Sequence, residues 1–392
     1  MLKTIISAYH CDNYDKDNVY NIVENIVKSF GNISDIIKPN TKILIKLNLL
    51  SAYTPEQAIT THPEVVRAVI NIVKKAGAIP VIGDSPGNLT QGIEHIWEKT
   101  GMLQLAKEEN VELVNFEACG CVEVSVQHPN IKQIYITKAI TDCDAIINIP
   151  KLKTHTFMGF TCGVKNFYGI VPGVRKAEYH KLAPTPKDFS YLLSEIYRMV
   201  KEKLLFTIVD GVYGLEGNGP SLSGQKRKYG IIAGSQDTVM LDTFILDKMG
   251  IKSKSNVLLK PLKEKKLGDT NLQNMIYVGD NVSEFNFSKT KLPVTKFLTL
   301  LPSWFARFVT KYAGRLFWVK PNIIESKCVG CLQCMKSCPV KAIVKNKGKT
   351  KPVIQKEKCI GCFCCHELCL HKAVEIKESF VASLFINKNE KK

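Results

Sequence analysis

The sequence predicts an α/β fold, a mostly parallel sheet covered by helices, followed by a small cysteine-rich α+β module. Three observations carry this. Apolar strand-like runs alternate with helical patterns from Met1 to about Pro293. Nine of the fourteen cysteines crowd between Cys328 and Cys369. The 392 residues suffice for two domains or three.

Taken in order, the strand candidates are Lys42–Lys46, Ile79–Ile82, Val111–Asn115, Ala145–Ile149, Leu205–Val209 and Gly230–Ala233. Helical patterns cover Glu64–Lys75, Gln91–Glu108 and Phe189–Lys201, and Thr61-x-x-Glu64 reads as a capping box opening the first. Strands alternating with helices imply βαβ units and a parallel sheet with both faces covered. In such sheets ligands bind beyond the carboxyl ends of the strands.

Polar residues gather at those ends. Leu47-Asn48 follows the first strand, Gly83-Asp84-Ser85-Pro86-Gly87 the second, Lys151-Leu152-Lys153-Thr154-His155 the fourth and Asp210-Gly211 the fifth. Glu216-Gly217-Asn218-Gly219-Pro220 and Gly163-Val164-Lys165-Asn166 lie nearby, as do Lys176 and His180. A lone Asp-Gly is usually a turn and a lone His usually structural, but repetition at strand after strand points to a site. Lys153 and Lys165 suit an anionic carboxylate or phosphate, and His155 suits proton transfer near neutral pH. Asp84, Asp210 and Glu216 offer hard oxygens to a divalent metal ion. The expected catalytic set is His155, Lys153, Lys165 and Asp210. Lys151, Lys153 and His155 are expected to face one crevice together with Asp84 and Asp210, because residues two apart in an extended segment point the same way.

A stretch over residues 294–320 links the two parts. From Trp304, the residues Phe305, Phe308, Tyr312 and Leu316 fall on one helical face, and Arg307, Lys311 and Arg315 on another. An amphipathic helix docking the second module is expected ahead of the alternative, a peripheral membrane contact through residues 304–316.

The cysteines form two runs. The first is Cys328-x2-Cys331-x2-Cys334-x3-Cys338-Pro339, and the second is Cys359-x2-Cys362-x2-Cys365-x3-Cys369. A shift of 31 residues superposes them, bringing Gly330 onto Gly361 and Ala342 onto Ala373. The spacing is that of bacterial ferredoxins with two [4Fe–4S] clusters, in which the fourth cysteine of each run serves the other cluster. One cluster is therefore expected on Cys328, Cys331, Cys334 and Cys369, and the other on Cys359, Cys362, Cys365 and Cys338. A lone zinc ion takes four ligands, not two interlocked sets of four. Leu370 stands where the repeat would place a proline, and Cys364 is an extra thiol left out of both sets. The ferredoxin-like domain is expected over residues 321–378, with a basic tail over 379–392 and the α/β domain over 1–293.

Lys46 and Asn48, His62-Pro63, Gly83-Asp84-Ser85-Pro86, Pro150 to His155, Gly163-Val164-Lys165-Asn166, Asp210-Gly211, Glu216-Gly217-x-Gly219-Pro220, Asp237 and Asp242 together resemble domain of unknown function 362. That prokaryotic family often carries a C-terminal ferredoxin domain. The resemblance spans nearly the whole chain and implies the two-part architecture.

The net charge is +18. No nucleic-acid motif with interleaved aromatics appears, so nucleic acid is not an expected partner. Seven lysines lie between Cys338 and Cys359, and such a basic surface suits an acidic redox protein. No signal peptide is expected in the first residues, and clustered thiols fit a reducing cytoplasm. The favoured reading is a redox enzyme passing electrons to a small anionic substrate or cofactor. The alternatives are an electron carrier or docking protein without catalysis, and a non-redox enzyme with structural or sensing clusters.

Overall fold

The structure, a computed structural model, describes residues 3–87, 92–173, 175–253, 256–295, 318–346, 348 and 350–379. The stretch expected as an amphipathic helix over residues 304–316 lies outside the described residues.

A ten-stranded sheet forms the centre of the α/β domain. Its main path runs Met275–Gly279, Thr4–His10, Gly224–Ser235, Leu204–Gly217, Ala145–Asn148, Lys42–Lys46, Ile79–Asp84 and Glu112–Asn115. Lys151–His155 pairs with Leu204–Gly217, and Gly159–Thr161 pairs with Lys151–His155. Most pairings are parallel, as expected. Gly224–Ser235 pairs antiparallel with both its neighbours.

Alternation along the central strands feeds two cores. Ile43, Ile45, Ile82 and Ile147 face one layer, which includes Val65, Val69, Ile72 and Val73 of the helix Pro63–Lys75. Leu44, Val81 and Ile146 face the other, with Leu192 and Ile196 of the helix Pro186–Val200 and Phe244 of Thr238–Lys248. The strands are buried on both faces because helices cover both, which is why they read as continuous apolar runs.

Three local expectations change. His62, not Thr61, caps the helix Pro63–Lys75, its ring nitrogen accepting from the Glu64 N–H. Thr61 instead accepts from the Asn48 N–H and donates to the Ile149 carbonyl, tying two strand ends together. The pattern over Gln91–Glu108 holds two helices, Ile93–Lys99 and Met102–Glu108, broken at Gly101, whose φ is +76°. Lys151–His155, expected as an extended segment beyond the strand Ala145–Ile149, is a separate, fully buried strand.

The cysteine-rich module is built from two antiparallel strand pairs, Val319–Ile323 with Val374–Glu378 and Ile343–Lys345 with Pro352–Ile354, and two short helices, Gln333–Lys336 and Cys364–Glu367. Its second half packs on the α/β domain. Phe363 joins the main core. Leu370 packs against a small cluster of Tyr53, Ile59 and Leu215, so the residue that replaces the repeat's proline serves domain docking. The His366 Nε2 lies 3.3 Å from the Asn218 carbonyl oxygen, across the same interface. A Leu370→Asp substitution would bury an unpaired charge there. We expect it to weaken docking by about 2 kcal/mol, raising the opened fraction by about thirtyfold. Limited proteolysis should then release the module faster while its iron content stays unchanged.

Candidate functional site

Strand ends build the floor of the site. Lys46 ends one strand and Asp84 the next, and their charges meet at 2.6 Å with both side chains buried. Burial lowers the Lys46 pKa and raises that of Asp84. Their mutual attraction opposes this, as do the Leu49 and Ser85 N–H groups that Asp84 accepts from. A Cβ on Gly169 would collide with the Asp84 Oδ1, so only glycine passes here. Lys176 donates to the Ser85 and Pro86 carbonyls at 2.7 and 3.1 Å and also to the Ser85 hydroxyl. It anchors this floor.

One turn presents a free cation. The Gly163 and Val164 N–H groups donate to the Asp242 carboxylate at 2.7 and 3.0 Å. Asn166 donates to the Leu47 carbonyl and to Asn148, and accepts from Asn48. The turn Gly163–Asn166 is thus fixed on both sides of Lys165. Among the described residues, no hydrogen bond or ion pair engages the Lys165 ammonium. Its nearest aromatic partner is the Tyr168 ring, 5.9 Å away.

Lys153 and His155 come from the buried strand Lys151–His155. Lys153 donates to the Ile59 carbonyl at 2.7 Å and has no carboxylate partner. Burial, then the charges of Lys165 and Lys151, push its pKa down to about 7. His155 accepts the Phe157 N–H on Nδ1 at 3.1 Å, which puts its proton on Nε2. That nitrogen faces the Glu367 carboxylate of the cysteine-rich module at 3.4 Å. Burial keeps His155 neutral and raises the Glu367 pKa to about 7. His180 stacks on Phe189, and its Nδ1 is buried without a partner.

These side chains line one cavity of about 730 Å³ between the two domains. The α/β domain contributes Asn48, Asp84, Lys153, His155, Lys165 and His180, and the module contributes Cys338, Pro339, Cys364, Glu367 and Leu368. Two smaller cavities lie inside the module. Cys328, Cys331, Cys334 and Cys369 line one, and Cys338, Cys359, Cys362 and Cys365 line the other, together with Cys364.

The donors fit iron–sulfur clusters. Among the described residues, no three His, Cys, Asp or Glu side chains close on one point as a single metal ion requires. Four thiols spread around a cavity instead suit a cubane. The Ala342 and Ala373 N–H groups point at the sulfurs of Cys338 and Cys369, at 3.2 and 3.3 Å, as expected of donors that tune cluster sulfurs. The Tyr53 hydroxyl is buried without a partner, within electrostatic reach of Cys369.

The structure separates the remaining expected residues. Asp210 is not in the cavity. It pairs with Lys151 at 2.9 Å, accepts from the Tyr14 hydroxyl and the His62 N–H, and is wholly buried. Lys151 turns the same way, donating to Asp210 and to the Tyr14 hydroxyl, and does not join Lys153 and His155 in the cavity. Glu216 bonds to Arg227 and to the Lys291 N–H. The three carboxylates Asp84, Asp210 and Glu216 are thus engaged apart, and they form no common metal site. Sequence reasoning also missed Glu367. One signal was present: a shift of 31 residues places it on Lys336, a charge reversal within an otherwise repeating module.

Comparison with known proteins places these features in a family. The model for "Domain of unknown function (DUF362)" matches residues 43–247, and that for "4Fe-4S dicluster domain" matches residues 320–370. Thylakoid-associated protein sll1697 of Synechocystis sp. is 32% identical over 249 residues, covering 63% of this chain and 74% of that protein. The lactate racemase apoprotein of Thermoanaerobacterium thermosaccharolyticum aligns at a TM-score of 0.39 and 14% identity, over 62% of this chain and 56% of that one. The C-terminal module is an iron–sulfur, ferredoxin-like domain. Among the described residues, no helix is long and apolar enough to cross a membrane. The chain belongs to the DUF362 family and joins that domain to a C-terminal 4Fe–4S dicluster domain.

Proposed function

We propose that this chain is a redox enzyme that binds two [4Fe–4S] clusters and reduces a small anionic substrate or cofactor held in the cleft between its domains. The observation that carries this reading is a shared wall: Cys338, Pro339 and Cys364 line both the large cavity and the cavity ringed by Cys359, Cys362 and Cys365. Bound clusters would supply electrons one at a time, each transfer reducing the ligand by one electron. The residues of the α/β domain do the rest. Lys165 and Lys153 hold the anion, since neither has a carboxylate within ion-pair distance. His155 presents its Nε2–H toward the same space. The fixed turn around Lys165 keeps the cation in place before the ligand arrives, which saves ordering cost. No divalent metal enters this reading.

The test uses the anaerobic holoprotein with inorganic phosphate and oxalate as probes. Either anion should change the paramagnetic resonance of the reduced cluster at Cys359, Cys362 and Cys365. A Lys165→Gln chain should keep its iron and lose the change. Anion binding without any spectral response would favour the non-redox enzyme. No binding of either probe would favour the electron carrier.

A further inference from the structure

The two halves of the cysteine-rich module repeat in sequence but not in exposure. Cys331 is exposed, whereas its counterpart Cys362 is buried. Leu332 is half-buried, but Phe363 is 3% exposed and sits in the main core. Cys334 is half-buried and Cys365 buried. The second half packs into the α/β domain through Phe363, whereas Val329, Cys331, Leu332 and Cys334 of the first half do not line the cleft. Among the described residues, Val329 is 62% exposed, the most exposed of the large apolar side chains, and it lines the cavity of Cys328, Cys331, Cys334 and Cys369. Lys327 precedes that cavity's first cysteine and Lys372 follows its lining residue His371, and both lysines are exposed. Glu325 is the exposed acid on the same loop.

We infer that the face around Val329 and Cys331 is where electrons enter, and that it takes an acidic redox protein of the ferredoxin or flavodoxin type. An apolar tip beside a thinly covered cluster site, flanked by cations, matches the layout of weak, electrostatically steered redox encounters. This rests on the reading of the module as an electron relay into the cleft and gives that relay a direction. Electrons come in at the exposed site of Cys328, Cys331, Cys334 and Cys369. They leave from the buried site that shares a wall with the cleft. Each encounter moves one electron. The partner is oxidised by one, this chain is reduced by one, no bond forms and no proton moves.

The experiment follows bleaching of the oxidised holoprotein by a photoreduced acidic flavodoxin in stopped flow, with photoreduced deazariboflavin as a small neutral reductant. The flavodoxin rate should fall steeply with added salt. Lys327→Glu/Lys372→Glu should slow it by about tenfold and flatten its salt dependence. Deazariboflavin should reduce that variant as fast as the parent, and a Lys107→Glu/Lys132→Glu control on the α/β domain should behave as the parent. If the charge reversals cost iron, Lys327→Ala/Lys372→Ala should still give an intermediate flavodoxin rate. A salt-independent parent rate overturns the inference. So does a patch variant as fast as the parent, or a control that is slowed equally. All three of these results leave the cleft reading standing. A chain that neither reductant bleaches overturns the electron-transfer reading itself.

Discussion

A Cys338→Ala chain is expected to bind about four irons where the parent binds about eight, and the loss should fall on the site of Cys359, Cys362 and Cys365. Cys338 belongs to the first run in sequence, yet in space it lines the cavity of the second. Cys369 does the reverse. The crossing follows from chain geometry. The first two thiols of each run lie on a loop and the third lies in a short helix, each three residues from the next, whereas the fourth comes after that helix has carried the backbone away. Spectra of the remaining cluster should therefore group Cys338→Ala with Cys362→Ala, and Cys369→Ala with Cys331→Ala. The opposite grouping would sink the ligand assignment. Cys364 needs its own control because it lines the same cavity as Cys338 and hydrogen-bonds with Cys362. Cys364→Ser alone should leave the iron content unchanged. If Cys338→Ala keeps its iron and the double variant loses it, Cys364 is a reserve ligand.

The central parallel strands were legible in the sequence because strands covered on both faces leave apolar runs that need no partner to be recognised. Lys153, His155, Lys165 and Asp84 were legible as site residues because each follows or ends such a strand or lies in a glycine-marked turn. Asp210 shared that signature and still lies elsewhere. The strand expected to end at Val209 runs on to Gly217, and the sequence could not show that Lys151 and Tyr14 would claim the Asp210 carboxylate from elements far away in sequence. The segment Lys151–His155 was expected to be extended, but its charges hid that it is a buried strand of the sheet. In the fold those charges are buried, with Lys151 against Asp210 and Lys153 on a carbonyl. Glu367 and Leu370 were hidden for another reason. Their roles depend on which half of a repeating module turns toward its neighbour, and a repeat does not encode that by its spacing. Only its irregularities do, here Glu367 opposite Lys336 and Leu370 opposite Pro339.

Anion affinity in the cleft is expected to fall as pH rises through about 7, the value to which burial and the neighbouring lysine charges lower Lys153. Below that pH the ammonium is charged and attracts the ligand; above it the amine is neutral and does not. A lysine with its ordinary pKa would give no such change between about pH 6 and 9. An anion in turn stabilises the charged form, so binding above neutrality should take up a proton, which calorimetry in buffers of different ionisation enthalpy detects. Lys153→Met should reduce the uptake to the share left by Glu367, which also titrates at about 7 in this cleft, and weaken binding by about ten- to a hundredfold, the worth of one charged hydrogen bond. Lys165→Gln should weaken binding too, but by removing a like charge it should move the midpoint to higher pH. That opposite shift separates the two lysines in a way that simple loss of affinity does not. The same depression has a sign for folding. Between about 7 and the ordinary lysine value, the unfolded chain holds a proton at Lys153 that the unliganded fold does not, so this residue adds stability as pH rises across that range. Ligand affinity and unliganded stability should therefore run in opposite directions with pH. An affinity that stays flat across neutrality would mean that Lys153 does not touch the anion, and the site would then rest on Lys165 alone.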